Sequence, residues 1–224
     1  MVLWYGTYYM RRRMVDLKLI AENLIAGKSA LVKELVQQAL AEGVSPGRVL
    51  NEGLIAGMNI VGTKFKANEF YVPEVLIAAR AMKSGMEILK PLLSQAGVKP
   101  VATFIIGTVK GDLHDIGKNL VGMMMEGAGF EVIDIGIDVA PEKYLEMIKQ
   151  KQPQLVGLSA LLTTTMPMMK TTIETLKNAG LKDKIKVLVG GAPVTEQFAR
   201  EIGADGYAAD AASAVDRAKE LLNN

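Results

Sequence analysis

His114 is the only histidine among the 224 residues, and it stands in the segment Gly107-Thr108-Val109-Lys110-Gly111-Asp112-Leu113-His114-Asp115-Ile116-Gly117-Lys118-Asn119. Asp112, two residues earlier, is near enough along the chain to accept a ring N–H and fix the imidazole's tautomer, an arrangement typical of metal-ligating histidines. Gly111 and Gly117 omit side chains on either side, which lets the backbone approach something bulky. Two further segments offer related groups. Gly157-Leu158-Ser159-Ala160-Leu161-Leu162-Thr163-Thr164-Thr165-Met166-Pro167 presents a row of hydroxyls, and Val189-Gly190-Gly191-Ala192-Pro193 leaves room for a flat or extended group.

The elements around these segments bring them to one place. Short β-rich apolar runs at 101–107, 131–135, 154–160, 186–189 and 206–209 alternate with helix-length segments at 116–128, 141–151, 166–179, 194–202 and 211–222. Five βα units of this kind predict an α/β domain, a doubly wound, parallel five-stranded sheet of the Rossmann-like, flavodoxin type. Such sheets bind ligands at the carboxyl ends of their strands. All three segments follow predicted strands. One imidazole, one carboxylate, several hydroxyls and two glycines at one edge describe a slot for a large cofactor with a metal.

From residue 14 to 96 the grammar differs. Apolar residues recur at helical spacing, as in Leu17, Ile20 and Leu24 and again Leu31, Leu35, Val36 and Ala39. Breaks at 27–29, 43–47 and 68–73 predict four helices packed as a bundle, with Ser45 as an N-cap and Pro46 in the first turn. The expected organisation is an N-terminal arm, 1–13, a helical domain, 14–96, and a cofactor-binding domain, 97–224. The arm holds the only Trp and three of the six Tyr, followed by Arg11, Arg12 and Arg13.

Composition narrows the classes. With 26 Lys and Arg against 24 Asp and Glu, the formal charge of +2 gives no reason to expect a nucleic-acid partner. The absence of cysteine excludes a disulfide framework, a thiolate nucleophile and cysteine-ligated zinc or iron–sulfur sites. No uncharged apolar run is long enough to span a membrane, and the start does not read as a signal peptide, so a cytoplasmic protein without a membrane partner is expected. Among chemical alternatives, a hydrolase triad lacks its Gly-x-Ser-x-Gly elbow. No Walker loop is present, and Gly-x-Gly-x-x-Gly does not follow the first strand. The acidic residues and lysine of a receiver phospho-acceptor site are not arranged as that site needs. A hydrolytic zinc site needs more ligands than one histidine. A single axial imidazole on a metal already held by a macrocycle needs only what is present.

Asp112-Leu113-His114-Asp115-Ile116-Gly117, then Ser159-Ala160-Leu161 after 41 intervening residues, then Gly190-Gly191 after 28 more, resembles the Asp-x-His-x-x-Gly, Ser-x-Leu, Gly-Gly pattern of the B12-binding (corrinoid) proteins and the cobalamin modules of methionine synthase. In the first half, Gly62-Thr63-Lys64-Phe65 and Glu69-Phe70-Tyr71-Val72-Pro73-Glu74-Val75 are similar to the segment of the helical cap that covers the methyl-bearing face of the corrin. The resemblance spans 14–222, nearly the whole chain.

The resemblance implies a corrinoid methyl carrier, not catalytic alone, in which a helical cap precedes a cobalamin domain. A substrate-specific methyltransferase would load a methyl group onto cobalt, and a second methyltransferase would pass it to tetrahydrofolate or a thiol. A reductive activator would be a further partner. It also implies His114 as the cobalt's lower ligand in place of the cofactor's own base, with Asp112 and Thr165 as a proton relay. Thr165 stands where methionine synthase has a serine. The cofactor-binding set would be Gly111, Asp112, His114, Asp115, Ile116, Gly117, Ser159, Leu161, Thr163, Gly190 and Gly191, with Phe65, Val72 and Val75 from the cap. A hinge is expected at 96–100. The cobalamin subunit of a B12-dependent mutase and a B12-dependent regulator share parts of this pattern, and a flavin-binding module shares the fold expected for the second half.

Overall fold

The computed structural model describes residues 15–223; the aromatic segment 1–13 expected as an arm lies outside the described residues, as do Met14 and Asn224. Helix α1 (Leu17–Ile25) starts at Asp16, whose carboxylate accepts from the Lys18 N–H at 3.0 Å, and buries Leu17, Ile20, Ala21 and Leu24 as one stripe. Helix α2 (Ser29–Ala41) buries Val32, Val36 and Ala39. The third run comprises α3 (Pro46–Arg48), a π-helical stretch (Val49–Ile55) and α4 (Ala56–Lys66). Ser45 occupies the N-cap position with Pro46 after it, as expected, but its side chain makes no capping hydrogen bond. A Cβ on Gly53 or Gly57 would stand 3.1 Å from Ile20 Cγ2 or the Ala21 Cα, so these glycines set how closely the run crosses α1. Helix α5 (Val72–Gln95) closes the bundle, its start held by the Glu74 carboxylate, which accepts from the Tyr71 N–H at 2.9 Å.

The second half alternates strands and helices as predicted. Strands β1 (Thr103–Thr108), β2 (Glu131–Asp134), β3 (Leu155–Ser159), β4 (Lys186–Gly190) and β5 (Gly206–Ala208) pair in parallel in the order β2-β1-β3-β4-β5. This is the flavodoxin-like order, and its connections reverse direction between β1 and β3. Period-two alternation divides the strands between two cores: Phe104, Ile106, Leu155 and Leu188 face one, and Ile105, Val156, Val187 and Val189 the other. Helices α6 (Ile116–Gly127) and α10 (Ala211–Asn223) cover the first face, while α7 (Pro141–Lys151), α8 (Pro167–Asn178) and α9 (Glu196–Glu201) cover the second.

The bundle packs on the outer side of α6 and α10, so the first core runs without a break from Leu17 to Leu221. Met58 and Met124 lie in that seam, and Lys66 forms an ion pair with Asp216 across it. Among the described residues no helix is long and apolar enough to cross a membrane.

Candidate functional site

Parallel register lines up Thr108, Ser159, Gly190 and Ala208 as consecutive neighbours along the carboxyl edge of β1, β3, β4 and β5. A cavity of about 560 Å³ opens beside this row. Its walls include His114, Asp115, Ile116 and Gly117 around the β1–α6 connection, Ser159 and Leu161 at and just beyond the end of β3, Gly190 and Gly191 at and just beyond the end of β4, and Phe65 from the helical half. Leu113, Ile116 and Leu161 are exposed apolar side chains within this lining.

His114 is fixed from behind. The buried Thr108 hydroxyl donates to its carbonyl at 2.9 Å, and its ring Nδ1 lies 2.8 Å from Asp112 Oδ1. Asp112 is wholly buried and accepts from five donors. Oδ1 takes the His114 N–H at 3.1 Å along with the ring, and Oδ2 takes Thr165 Oγ1 at 2.7 Å, the Leu161 N–H at 2.8 Å and the Leu162 N–H at 3.3 Å. Burial alone would raise the pKa of this carboxyl; the hydrogen bonds from Thr165, Leu161 and His114 outweigh it and hold the group well below the usual carboxylate range. An ionised Asp112 can only accept, so His114 Nδ1 is the donor, and in the neutral ring Nε2 carries the lone pair. The half-exposed ring therefore offers one nitrogen for coordination.

The glycines serve different purposes. A Cβ on Gly117 would meet nothing within 4 Å, and this position opens into the cavity. Gly191 answers a different need: its φ is +134°, and a Cβ there would lie 1.9 Å from the Ala160 carbonyl oxygen, inside the protein's own backbone. Gly111 adopts φ +83° and does not line the cavity.

Several expected residues stand elsewhere. Asp112 and Thr165 lie behind the cavity wall, where Asp112 touches the His114 ring and Thr165 touches Asp112, and Thr163 is exposed outside the lining. Val75 is buried in the bundle core and Val72 packs against that core, so neither lines the cavity. The reason is helical phase: Val75 belongs to the inward stripe of α5 with Ala78, Met82, Gly85 and Leu89. The sequence reading missed Leu113, Lys118, Phe104, Leu188, Ala208 and Asp210 in the lining. The strand-end members follow from register once strand order is known. Lys118 has no such signal; its buried ammonium pairs with Asp134 at the end of β2 and donates to Asn119 Oδ1 at 2.8 Å.

Among the described residues no three His, Cys, Asp or Glu side chains gather to hold a metal ion. One imidazole with a free Nε2, an apolar rim and a cavity at the sheet's switch point fit a metal that brings its own equatorial ligands.

A B12 binding domain family matches residues 102–216, and a second B12 binding domain family matches residues 17–90. The chain is 45% identical over 204 residues to the dimethylamine corrinoid protein of Methanosarcina barkeri, covering 91% of this chain and 95% of that one. It is 44% identical over 195 residues to the trimethylamine corrinoid protein of the same organism, covering 86% and 90%. Among solved structures, a chain of the methanol:cobalamin methyltransferase complex MtaBC from Methanosarcina barkeri superposes with a TM-score of 0.84 at 31% identity, covering 93% of this chain and 80% of that one.

Proposed function

Since the chain belongs to the B12-binding corrinoid methyl-carrier proteins, we propose that it shuttles a methyl group from a methylamine-specific methyltransferase to a second methyltransferase. When bound, the corrinoid supplies the cobalt that takes up and releases the methyl group. The observation that carries the reading is the chain Thr165–Asp112–His114, which ends in a ring nitrogen free to coordinate at the cavity wall.

His114 would hold the metal through Nε2, and Asp112 keeps the ring in the tautomer that allows it. Nε2 would also be the ring atom at which a compensating proton is held, with the imidazole facing a carboxylate that its five donors stabilise in the ionised form. Ser159, Leu161, Gly190 and Gly191 would line the path of the cofactor's tail, and Gly117, Ile116 and Asp115 the side next to His114. Phe65 would be the cap's contribution. Residues 14–96 would act as that cap and 97–224 as the cobalamin-binding domain, in a cytoplasmic protein.

The methylamine donor is favoured by relatives at 44–45% identity named for dimethylamine and trimethylamine, against 31% for the chain from the methanol system. A thiol or tetrahydrofolate would be the final acceptor, and a reductive activator the third partner. The test is reconstitution with a corrinoid, followed by Co(II) EPR. One corrinoid per chain with nitrogen splitting from an imidazole is expected, and His114→Ala should abolish the splitting while the buried tail retains the cofactor. Unchanged splitting in that variant would overturn the ligand assignment. Assays with methyltransferases specific for each methylamine and for methanol then identify the donor.

A further inference from the structure

Asp138 lies outside the cavity, in the β2–α7 connection, with a backbone φ of +53°. Left-handed backbone is uncommon for any residue with a side chain, although aspartate and asparagine tolerate it better than most. Its surroundings give the conformation a use. Asp138 Oδ1 accepts from the Gly111 N–H at 2.7 Å, Oδ2 accepts from Lys110 Nζ at 3.1 Å, and the Asp138 N–H donates to the Asp112 carbonyl at 3.0 Å. The next residue continues the connection to β1, with the Val139 N–H donating to the Thr108 carbonyl at 2.9 Å.

We propose that Asp138 is a positioning residue for His114, clamping the backbone at Gly111 and Asp112, with the Lys110 ammonium held beside it, so that the Asp112 carboxylate meets the imidazole. Asp112 is then held twice. Its side chain is fixed from the β3–α8 connection by Leu161, Leu162 and Thr165, and its backbone from the β2–α7 connection by Asp138. These connections leave the two strands that flank β1, so the loop bearing the ligand is braced from both sides of the switch point. Only Gly111, itself at φ +83°, stands between the two residues that Asp138 holds by hydrogen bonds to Lys110 Nζ and the Asp112 carbonyl, and it gives its own N–H to the same carboxylate. The inference deepens the proposed function, since it rests on His114 being the ligand.

Because the chain has a single histidine, ¹⁵N-labelled histidine gives a one-residue NMR readout of the tautomer on the corrinoid-free protein, recorded above the ordinary imidazole titration range. Wild type should show the Nδ1–H form. Asp138→Asn keeps an acceptor for Gly111 and tolerates the backbone, so it should match wild type. Asp138→Gly removes the carboxylate without backbone strain and should shift the ring toward a mixture of tautomers, with far-UV circular dichroism unchanged. Retention of the wild-type tautomer in Asp138→Gly overturns the clamp. So does rapid exchange of the Gly111 amide in wild type, a measurement that needs no variant. A wild-type corrinoid complex lacking nitrogen splitting in Co(II) EPR would instead mark failure of the ligand assignment.

Discussion

Asp112 and His114 are two residues apart in one loop, yet their 2.8 Å contact is set by residues about fifty positions away. The carboxylate that meets the ring is anchored by the Leu161 and Leu162 amides and the Thr165 hydroxyl, at separations of 49, 50 and 53 residues. The loop supplies the pair, and the neighbouring strand supplies its orientation.

Asp112→Asn should disturb ligation more than the similar shape of the two side chains suggests. Five donors converge on the carboxylate, and an amide has one oxygen to offer them. If that oxygen satisfies Leu161 and Thr165, the amide NH₂ faces His114 and pushes the ring into the Nε2–H form, which cannot coordinate. The expected result is loss or strong weakening of the nitrogen splitting in Co(II) EPR, with the fold retained by circular dichroism.

Thr165 should reveal the ionised state of Asp112 through pH. Thr165→Val keeps the shape and removes a hydrogen bond to a charged acceptor, which costs about 1.5–3 kcal/mol in chemical denaturation near neutral pH; Thr165→Ser should cost much less. The Asp112 carboxyl is depressed in the folded protein, so its stabilisation is fully present above the ordinary aspartate value of about 3.9 and is lost as pH falls through the lower folded value. The gap between wild type and Thr165→Val should therefore narrow in strong acid. A gap independent of pH would refute the charged hydrogen bond.

Two glycines should separate folding from binding. Gly191→Ala places a Cβ 1.9 Å from a backbone oxygen at φ +134° and should destabilise by more than about 3 kcal/mol or prevent folding. Gly117→Ala meets nothing within 4 Å and lies in α6, so it should leave Tm unchanged or slightly raised. The added methyl should nevertheless weaken corrinoid binding, measurable by titration.

Limited proteolysis should cut first within residues 97–101, where consecutive exposed residues join the two halves and Gly97 turns the chain at φ +68°. The shared core from Leu17 to Leu221 should keep the nicked halves together in gel filtration. Mild denaturant should part them, earlier in Lys66→Ala, which loses the ion pair to Asp216.

The sequence alone determined the strands and helices of the second half to within about two residues, because each element is written in local periodicity: alternation for strands, a 3.6-residue stripe for helices. It also placed His114, Ser159 and Gly190 at strand ends, and a parallel sheet brings strand ends together. What depends on how faces meet was decided by the tertiary structure. Phe65, Val72 and Val75 are all apolar, but only helical phase and the docking of the bundle on α6 and α10 put Phe65 at the cavity, Val75 in the core and Val72 against it. The π-helical stretch Val49–Ile55 leaves apolar spacing that reads as an ordinary helix. Asp138 reads as one more loop acid, since its conformation and its hold on residues 110–112 exist only once β2 lies beside β1. Contacts between segments far apart in the chain carry no periodic signature, and these contacts orient the histidine.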